Sequence, residues 1–337
     1  MRQLLALSTH KKDLVLLEEG GLDSLLREFS LEGLELLPWG EIPEEFRGRV
    51  VGVHLPFQPV WLPFWLEEHS YLREVFPGED NLVRFFGGTR KEDFISLMAK
   101  WFRQALCLKP RYLVLHASHC GVEEVFSLRF RYDTNTVLFA LAELLNLVFE
   151  ETWPLGGKDL PVVLFENLWW PGLRSFQSEE IEFLFSRLRL PVSSLGLVLD
   201  TSHLLNLSYL LKRPSCSVEG PVRPAQALSL LWQAIRKIPA EIKELIRVVH
   251  LNFSPRCDLF VPDQRALEIL LETKDPLERF SLARKRVLAM DPHLPFVGVD
   301  LRFLLEDLAP DFLVHELRFT DCQELFHRLT LQRSCLS

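Results

Sequence analysis

The sequence predicts a (β/α)8 TIM barrel, built as a single domain with loop insertions, on three observations. Short runs rich in β-branched and aliphatic residues recur along the chain, each ending in a polar or small residue and followed by a longer stretch of helical spacing. This is the alternation of a parallel sheet. Eight such runs occur, the number that closes a barrel. No low-complexity linker divides the 337 residues, and the 21 prolines are spread through loops rather than gathered at a hinge.

The predicted strands are, in order, Leu4–Ser8, Leu34–Pro38, Val50–Leu55, Tyr112–Ala117, Val162–Asn167, Leu195–Thr201, Val248–Phe253 and Phe312–Leu317. Between them, apolar residues at three- and four-residue spacing predict helices such as Thr136–Glu151, Ser178–Leu188, Pro224–Ile238 and Ala266–Leu271, and their stripes read as core packing. A typical barrel needs about 250 residues. The surplus is assigned to two insertions, 57–110 and 254–290, within a barrel spanning residues 1–330, and 331–337 reads as a C-terminal tail.

Composition narrows the class. With 48% hydrophobic residues, and 38 Lys plus Arg against 46 Asp plus Glu, the chain is neither disordered, fibrous nor a small disulfide scaffold. A net charge of -8 argues against a surface that coats nucleic acid, although bound cations can neutralise a local phosphate site. The six cysteines (Cys107, Cys120, Cys216, Cys257, Cys322, Cys335) are scattered without a CxxC pair, which matches no zinc ribbon and no disulfide framework. The first ten residues meet Lys11, Lys12 and Asp13 too soon for a secretory signal. The longest apolar runs, near Leu55–Leu66 and Thr136–Phe149, are too short or too charged to span a bilayer. A soluble, cytoplasmic protein with no membrane partner is expected.

The histidines point to the chemistry. Five of the ten occupy strand ends or the loop just beyond: His54, His116, His203, His250 and His293. In a parallel barrel all C-terminal strand ends share one mouth, so residues distant in sequence converge there. Carboxylates accompany them: Glu166 closes Val-Val-Leu-Phe-Glu, Asp200 lies three residues before His203, Asp291 two before His293, and Glu316 sits in the last predicted strand. Carboxylate oxygen with imidazole nitrogen, and no thiolate, suits a catalytic zinc, manganese or iron rather than a structural zinc. Nine such groups exceed the roughly four to six ligands one ion takes, so two or three ions are implied.

The ordered series of His54 in His-Leu-Pro, His116, Glu166-Asn167, Leu-Asp-Thr-Ser-His (Asp200 to His203), His250-Leu-Asn252, Asp291-Pro-His293 and Glu316 resembles the xylose-isomerase-like TIM-barrel superfamily (AP endonuclease family 2). Within it, the pattern is most similar to the endonuclease IV type, and the match runs from Met1 to about Leu329. The resemblance implies three zinc ions: one on His54, His116 and Glu166, a second on Glu166, Asp200, His250 and Glu316, and a third on His203, Asp291 and His293, with Glu166 bridging. It also implies phosphodiester hydrolysis. Such ions lower the pKa of water and neutralise phosphate oxygens, so in-line attack needs no amino-acid nucleophile.

The chain departs from that pattern around the ligands. His-Leu-Asn-Asp-Ser becomes His250-Leu251-Asn252-Phe253-Ser254, and a small Gly-rich loop becomes Leu168-Trp169-Trp170-Pro171-Gly172. The substrate is therefore expected to be a smaller nucleotide-like or cofactor phosphodiester, or else abasic DNA. Asn167, Asn252, Trp61, Trp169 and Trp170 are the residues expected against it, the indoles acting either as a stacking wall or as packing over the barrel. Arg129, Arg131, Arg174 and Arg256 are read as solvated charges. His10, His69 and His327 read as surface residues, His315 as facing the strand–helix layer, and His119 has no assigned role. The competing reading is a sugar isomerase or epimerase, with one metal on Glu166, Asp200, His250 and Glu316 and the two glutamates transferring protons. It leaves His54, His116, Asp291 and His293 unexplained. A non-enzymatic binding barrel leaves the whole set unexplained.

Overall fold

A computed structural model describes residues 1–11, 13–14, 21–152, 160–212 and 220–337; Cys216 lies outside them. Eight parallel strands close into a barrel in chain order: β1 (Arg2–Ser8), β2 (Gly33–Leu37), β3 (Val50–His54), β4 (Tyr112–His116), β5 (Val162–Glu166), β6 (Leu195–Asp200), β7 (Ile246–Leu251) and β8 (Phe312–His315). Each matches its predicted run to within two residues at either end. Seven of the eight stop one or two residues short of the expected C-terminus, because the chain turns out of the ladder as soon as the mouth is reached.

Strand alternation sorts side chains into two cores. Leu4, Tyr112, Val114, Leu164, Val198, Val248, Phe312 and Val314 fill the barrel interior. Their neighbours, including Leu113, Phe165, Leu197, Leu199, Val249 and Leu313, face the helical shell. Register then lifts the next inward residues to the mouth: His116 pairs with Glu166, and Asp200 with His250. His315 faces outward as predicted, its Nε2 3.0 Å from Gln3 Oε1 while Gln332 Nε2 stands 3.0 Å from its Nδ1. Burial pushes its pKa down to about 3.

Helix boundaries shift where caps decide them. The predicted Thr136 helix runs Thr134–Thr152, because Asp133 Oδ1 accepts the Thr136 amide at 2.7 Å. The expected tail at 331–337 is docked instead. The last helix extends over Cys322–Arg333, Gln332 donates to Leu251 O at 2.9 Å, and buried Cys335 accepts the Leu301 amide on its carbonyl. Among the described residues, no helix is long and apolar enough to cross a membrane.

The two insertions meet each other. Residues 57–110 contribute helices Leu62–Trp65, His69–Val75, Glu79–Phe86 and Lys91–Leu106, and 254–290 contribute Gln264–Glu272 and Pro276–Met290. They leave β3 and β7, which stand opposite in an eight-stranded barrel, so any contact between them bridges the mouth or its rim. Phe280 packs on Phe76 and Phe85 with ring centroids 5.4 and 4.7 Å away, and Arg279 Nη1 donates to Glu74 O at 2.9 Å.

The loops after β4 and β5 are likewise tied down. Ser118 bridges Gly172, whose φ of 125° and contact with Ala117 O exclude a side chain. Ser118 Oγ donates to Pro171 O, and Trp61 Nε1 donates to Ser118 O at 2.9 Å. Trp61, Trp169 and Trp170 are buried at 3%, 1% and 6% exposure, so these indoles pack the loops rather than stand free as a stacking wall. Trp169→Ala is therefore expected to cost about 3–5 kcal/mol of unfolding stability, read from urea denaturation; an unshifted midpoint would contradict this packing role.

Candidate metal centre

The mouth gathers five imidazoles and four carboxylates. His54, His116 and Glu166 form one group of potential ligand atoms; Glu166, Asp200, His250 and Glu316 form a second; Asp200, His203 and His293 form a third. Asp291 joins the third, its Oδ2 3.1 Å from His203 Nε2 and 2.8 Å from His293 Nε2. The structure thus brings together all nine residues singled out from the sequence.

Glu166 stands at the centre. Its Oε2 lies 2.9 Å from Nε2 of both His54 and His116. Its Oε1 lies 3.2 Å from His203 Nδ1 and 3.3 Å from His250 Nδ1. One carboxylate therefore serves two pairs of rings, one pair per oxygen. Glu316 closes the far side, with Oε2 3.1 Å from His250 Nδ1.

Local structure explains the motifs. Asp200 caps the helix Thr201–Leu211, its Oδ1 accepting the His203 amide at 2.7 Å, which turns the His203 ring back over the mouth. Thr201 Oγ1 donates to Asn252 O at 2.6 Å and so joins the ends of β6 and β7. Ser202, Ser254 and Asn206 all donate to Asp291 Oδ1, at 2.6, 2.6 and 3.2 Å, leaving Oδ2 for the histidines. His293 holds a left-handed backbone, φ 47°, a conformation that costs a residue with a Cβ roughly 1–2 kcal/mol and that its surroundings must impose.

Asn167 and Asn252 serve the ligands directly. Asn167 Oδ1 accepts the Asp200 amide at 2.8 Å, and its carbonyl lies 2.9 Å from His203 Nδ1. Asn252 Nδ2 donates to Asp200 Oδ2 at 2.6 Å. Both are fully buried, so they orient ligands rather than present a face to substrate. Among the arginines, Arg131 pairs with Glu68, Arg256 pairs with Asp258, Arg174 donates to Trp169 O, and Arg129 is exposed. His10, His69 and His327 are exposed, and His119 is buried against Trp61 and Tyr132. Burial pushes His119 down to about 3.

The charge balance of the cluster is revealing. Burial favours neutral Glu166, yet His116 and His250 hold its carboxyl well below the usual range. Burial opposes charge on His203 and His250, but the carboxylates around them raise both well above an ordinary imidazole. His54 and His116 share one oxygen and diverge: burial keeps His116 low, whereas Glu166 and Glu35 overcome burial at His54 and raise it. Burial lifts Asp200 to about 6. Several atoms stay buried without a hydrogen-bond partner, among them Glu166 Oε1, His250 Nδ1 and His116 Nδ1. Orphaned nitrogen and oxygen donors aimed at common points fit divalent metal ions.

One further buried acid escaped the sequence reading. Glu35, in β2, is buried and reaches His250 from below. Its signal was present: a lone carboxylate inside the apolar run Gly-Leu-Glu-Leu-Leu, at the inward position opposite Ala6.

The fold and site define a (β/α)8 barrel carrying a nine-residue His/Asp/Glu centre at its C-terminal mouth. No family model and no curated protein matches the chain. Solved structures of similar shape include endonuclease IV from Thermus thermophilus, with 19% identity, a TM-score of 0.44 and coverage of 99% of this chain and 98% of that one. A D-tagatose 3-epimerase-like protein gives 13% identity, 0.47, and 99% and 97% coverage. A xylose isomerase domain protein from Alicyclobacillus acidocaldarius gives 14% identity, 0.40, and 98% and 96% coverage. The likeness is one of fold, and the reading of the site rests on its own geometry.

Metal loading must displace protons from the raised histidines, and below about pH 6 from Asp200 as well. Affinity is therefore expected to rise with pH and loading to release protons. Calorimetric titration of chelator-treated protein in buffers of different ionisation heat measures both. An affinity that does not change between about pH 5.5 and 8 would contradict this assignment.

Proposed function

We propose that the chain is a metal-dependent phosphodiester hydrolase with a di- or trinuclear centre at the barrel mouth. The bridging arrangement of Glu166, one oxygen toward His54 and His116 and the other toward His203 and His250, carries this reading. A single-metal site has no use for the first pair. Divalent ions held there, zinc or else manganese or iron, would supply activated water near neutral pH and offset the charge on phosphate oxygens.

The chain's own residues set who enters. The side chains of His54, His116 and Glu316 are the most exposed of the nine, at 12%, 18% and 25%, so substrate meets the centre there. Phe57 stands edge-on to His116 at 4.7 Å and stacks on Trp170 at 6.4 Å, walling that approach. The bridge between the two insertions favours a small phosphodiester over duplex DNA. At the ends of β1 and β2, exposed Trp39 lies 5.7 Å from the His10 ring, an aromatic pair suited to the planar group of a nucleotide-like substrate. A cytoplasmic, reducing location accords with the scattered cysteines.

A second reading has its own observation. Glu166, Asp200, His250 and Glu316 make a complete four-ligand group by themselves, as a sugar isomerase would need, with Glu166 and Glu316 placed for proton transfer. Metal content separates the two. Two or three equivalents of zinc, manganese or iron by elemental analysis are expected for the hydrolase, and one for the isomerase. Glu166→Gln is expected to lower hydrolysis of small phosphodiesters by more than about a hundredfold, beyond the effect of outer-shell changes at metal sites, with an unchanged circular dichroism spectrum. Wild-type turnover in that variant would end the bridging role.

A further inference from the structure

Beneath the centre, inside the barrel, lies a chain of buried polar groups that none of the nine ligands accounts for. Glu35 Oε1 is 2.9 Å from His250 Nε2, an ion-pair contact that lies outside hydrogen-bond geometry. Tyr112, from β4, donates its hydroxyl to Glu35 Oε2 at 2.8 Å. The other face of the His250 ring, Nδ1, looks up at Glu166 and Glu316. All three residues are buried, Glu35 at 2% exposure and His250 at 0%.

The neighbours make room for this chain. A Cβ on Gly52, in β3, would fall within the Tyr112 ring. Only glycine at that inward position, which pairs with both Glu35 and Tyr112, lets the phenol lie across the barrel to reach the carboxylate. Around them the interior is Leu4, Val114, Val248, Phe312 and Val314, a setting in which an isolated carboxylate costs several kcal/mol. A group so expensive to bury, partnered only through Tyr112 and His250 among the described contacts, is there for one of them. Tyr112 stays a phenol, since burial and Glu35 both raise its pKa. Its hydroxyl donates to Glu35 Oε2, so its role is to hold Glu35.

We propose that Glu35 is the positioning residue for His250: it takes the Nε2 side of the ring as counter-charge and so commits Nδ1 to a metal ion, while Tyr112, lying over Gly52, fixes Glu35. The inference rests on the metal-centre reading and concerns one of its sites. An outer carboxylate on a ligating imidazole sets the tautomer and raises its basicity, and losing it typically weakens metal binding about 10–100-fold.

The test is titration of chelator-treated full-length protein with cobalt(II) alone, followed by visible absorption and by elemental analysis. Wild type, Glu35→Ala, Glu35→Gln and Tyr112→Phe are compared, with circular dichroism and thermal unfolding as controls for folding. In Glu35→Ala one equivalent is expected to weaken about 10–100-fold while the others bind as in wild type. Glu35→Gln should recover part of that loss, because its amide oxygen keeps a polar contact beside Nε2 without the charge. Tyr112→Phe should shift the same equivalent by less. An isotherm in folded Glu35→Ala identical to wild type overturns the proposal. So does a loss spread over every equivalent that Glu35→Gln does not recover, since that marks a role in barrel packing alone. If Glu35→Ala fails to fold, Glu35→Gln and Tyr112→Phe decide the matter: neither shifting any equivalent is a refutation. A wild-type protein that takes up no cobalt sinks the metal centre itself, and this proposal with it, a result distinct from wild type and variants binding alike.

Discussion

The structure is organised around burying one carboxylate, Glu166, among four imidazoles. Taking a charge out of water costs several kcal/mol, and Glu166 is fully buried with an oxygen left without a hydrogen-bond partner. Such a group persists only if hydrogen-bond donors or cations are held against both of its oxygens. The four rings that do this come from β3, β4, the helix after β6, and β7. None is near another in sequence, so the closed barrel is the condition for the interaction to exist.

Much of the remaining polar structure at the mouth maintains that arrangement. Asn167 and Asn252 grip Asp200 from the ends of the two strands that flank β6. Ser202, Ser254 and Asn206 saturate one oxygen of Asp291 and so aim the other. From beneath, Glu35, held by the Tyr112 hydroxyl, engages His250. These outer groups fix the orientation of Asp200, Asp291 and His250 at the mouth. That is the construction expected of a centre whose ligand positions must hold against strong mutual repulsion once protons leave.

The departures from the endonuclease IV pattern also acquire a physical meaning. Leu168-Trp169-Trp170-Pro171-Gly172 packs onto the β4 loop through the Ser118–Gly172 bridge, and Phe253 pairs with Leu294 and packs on Phe296. The insertions after β3 and β7 reach each other through Phe76, Phe85 and Phe280. These contacts are apolar, and among the nine side chains Glu316 and His116 are the most exposed, followed by His54 and His293.

The sequence by itself determined the barrel, because period-two alternation and eight strand–helix repeats are local properties, and it singled out the nine His, Asp and Glu residues that meet at the mouth, because strand ends of a parallel barrel must share one face. His315 was placed on the outer face for the same reason. Only the tertiary structure decided the rest. Asn167, Asn252, Trp61, Trp169 and Trp170 read equally well as substrate contacts until burial and hydrogen bonds assigned them to ligands and loops. Residues 331–337 gave no sign of docking, since Gln332 and Cys335 find their partners in Leu251, His315 and Leu301 across the fold. Glu35 stood in plain view as a charge in an apolar strand, but its partner is 215 residues away. Which carboxylate meets which imidazole depends on strand register and barrel closure, and those are long-range quantities that no local pattern carries.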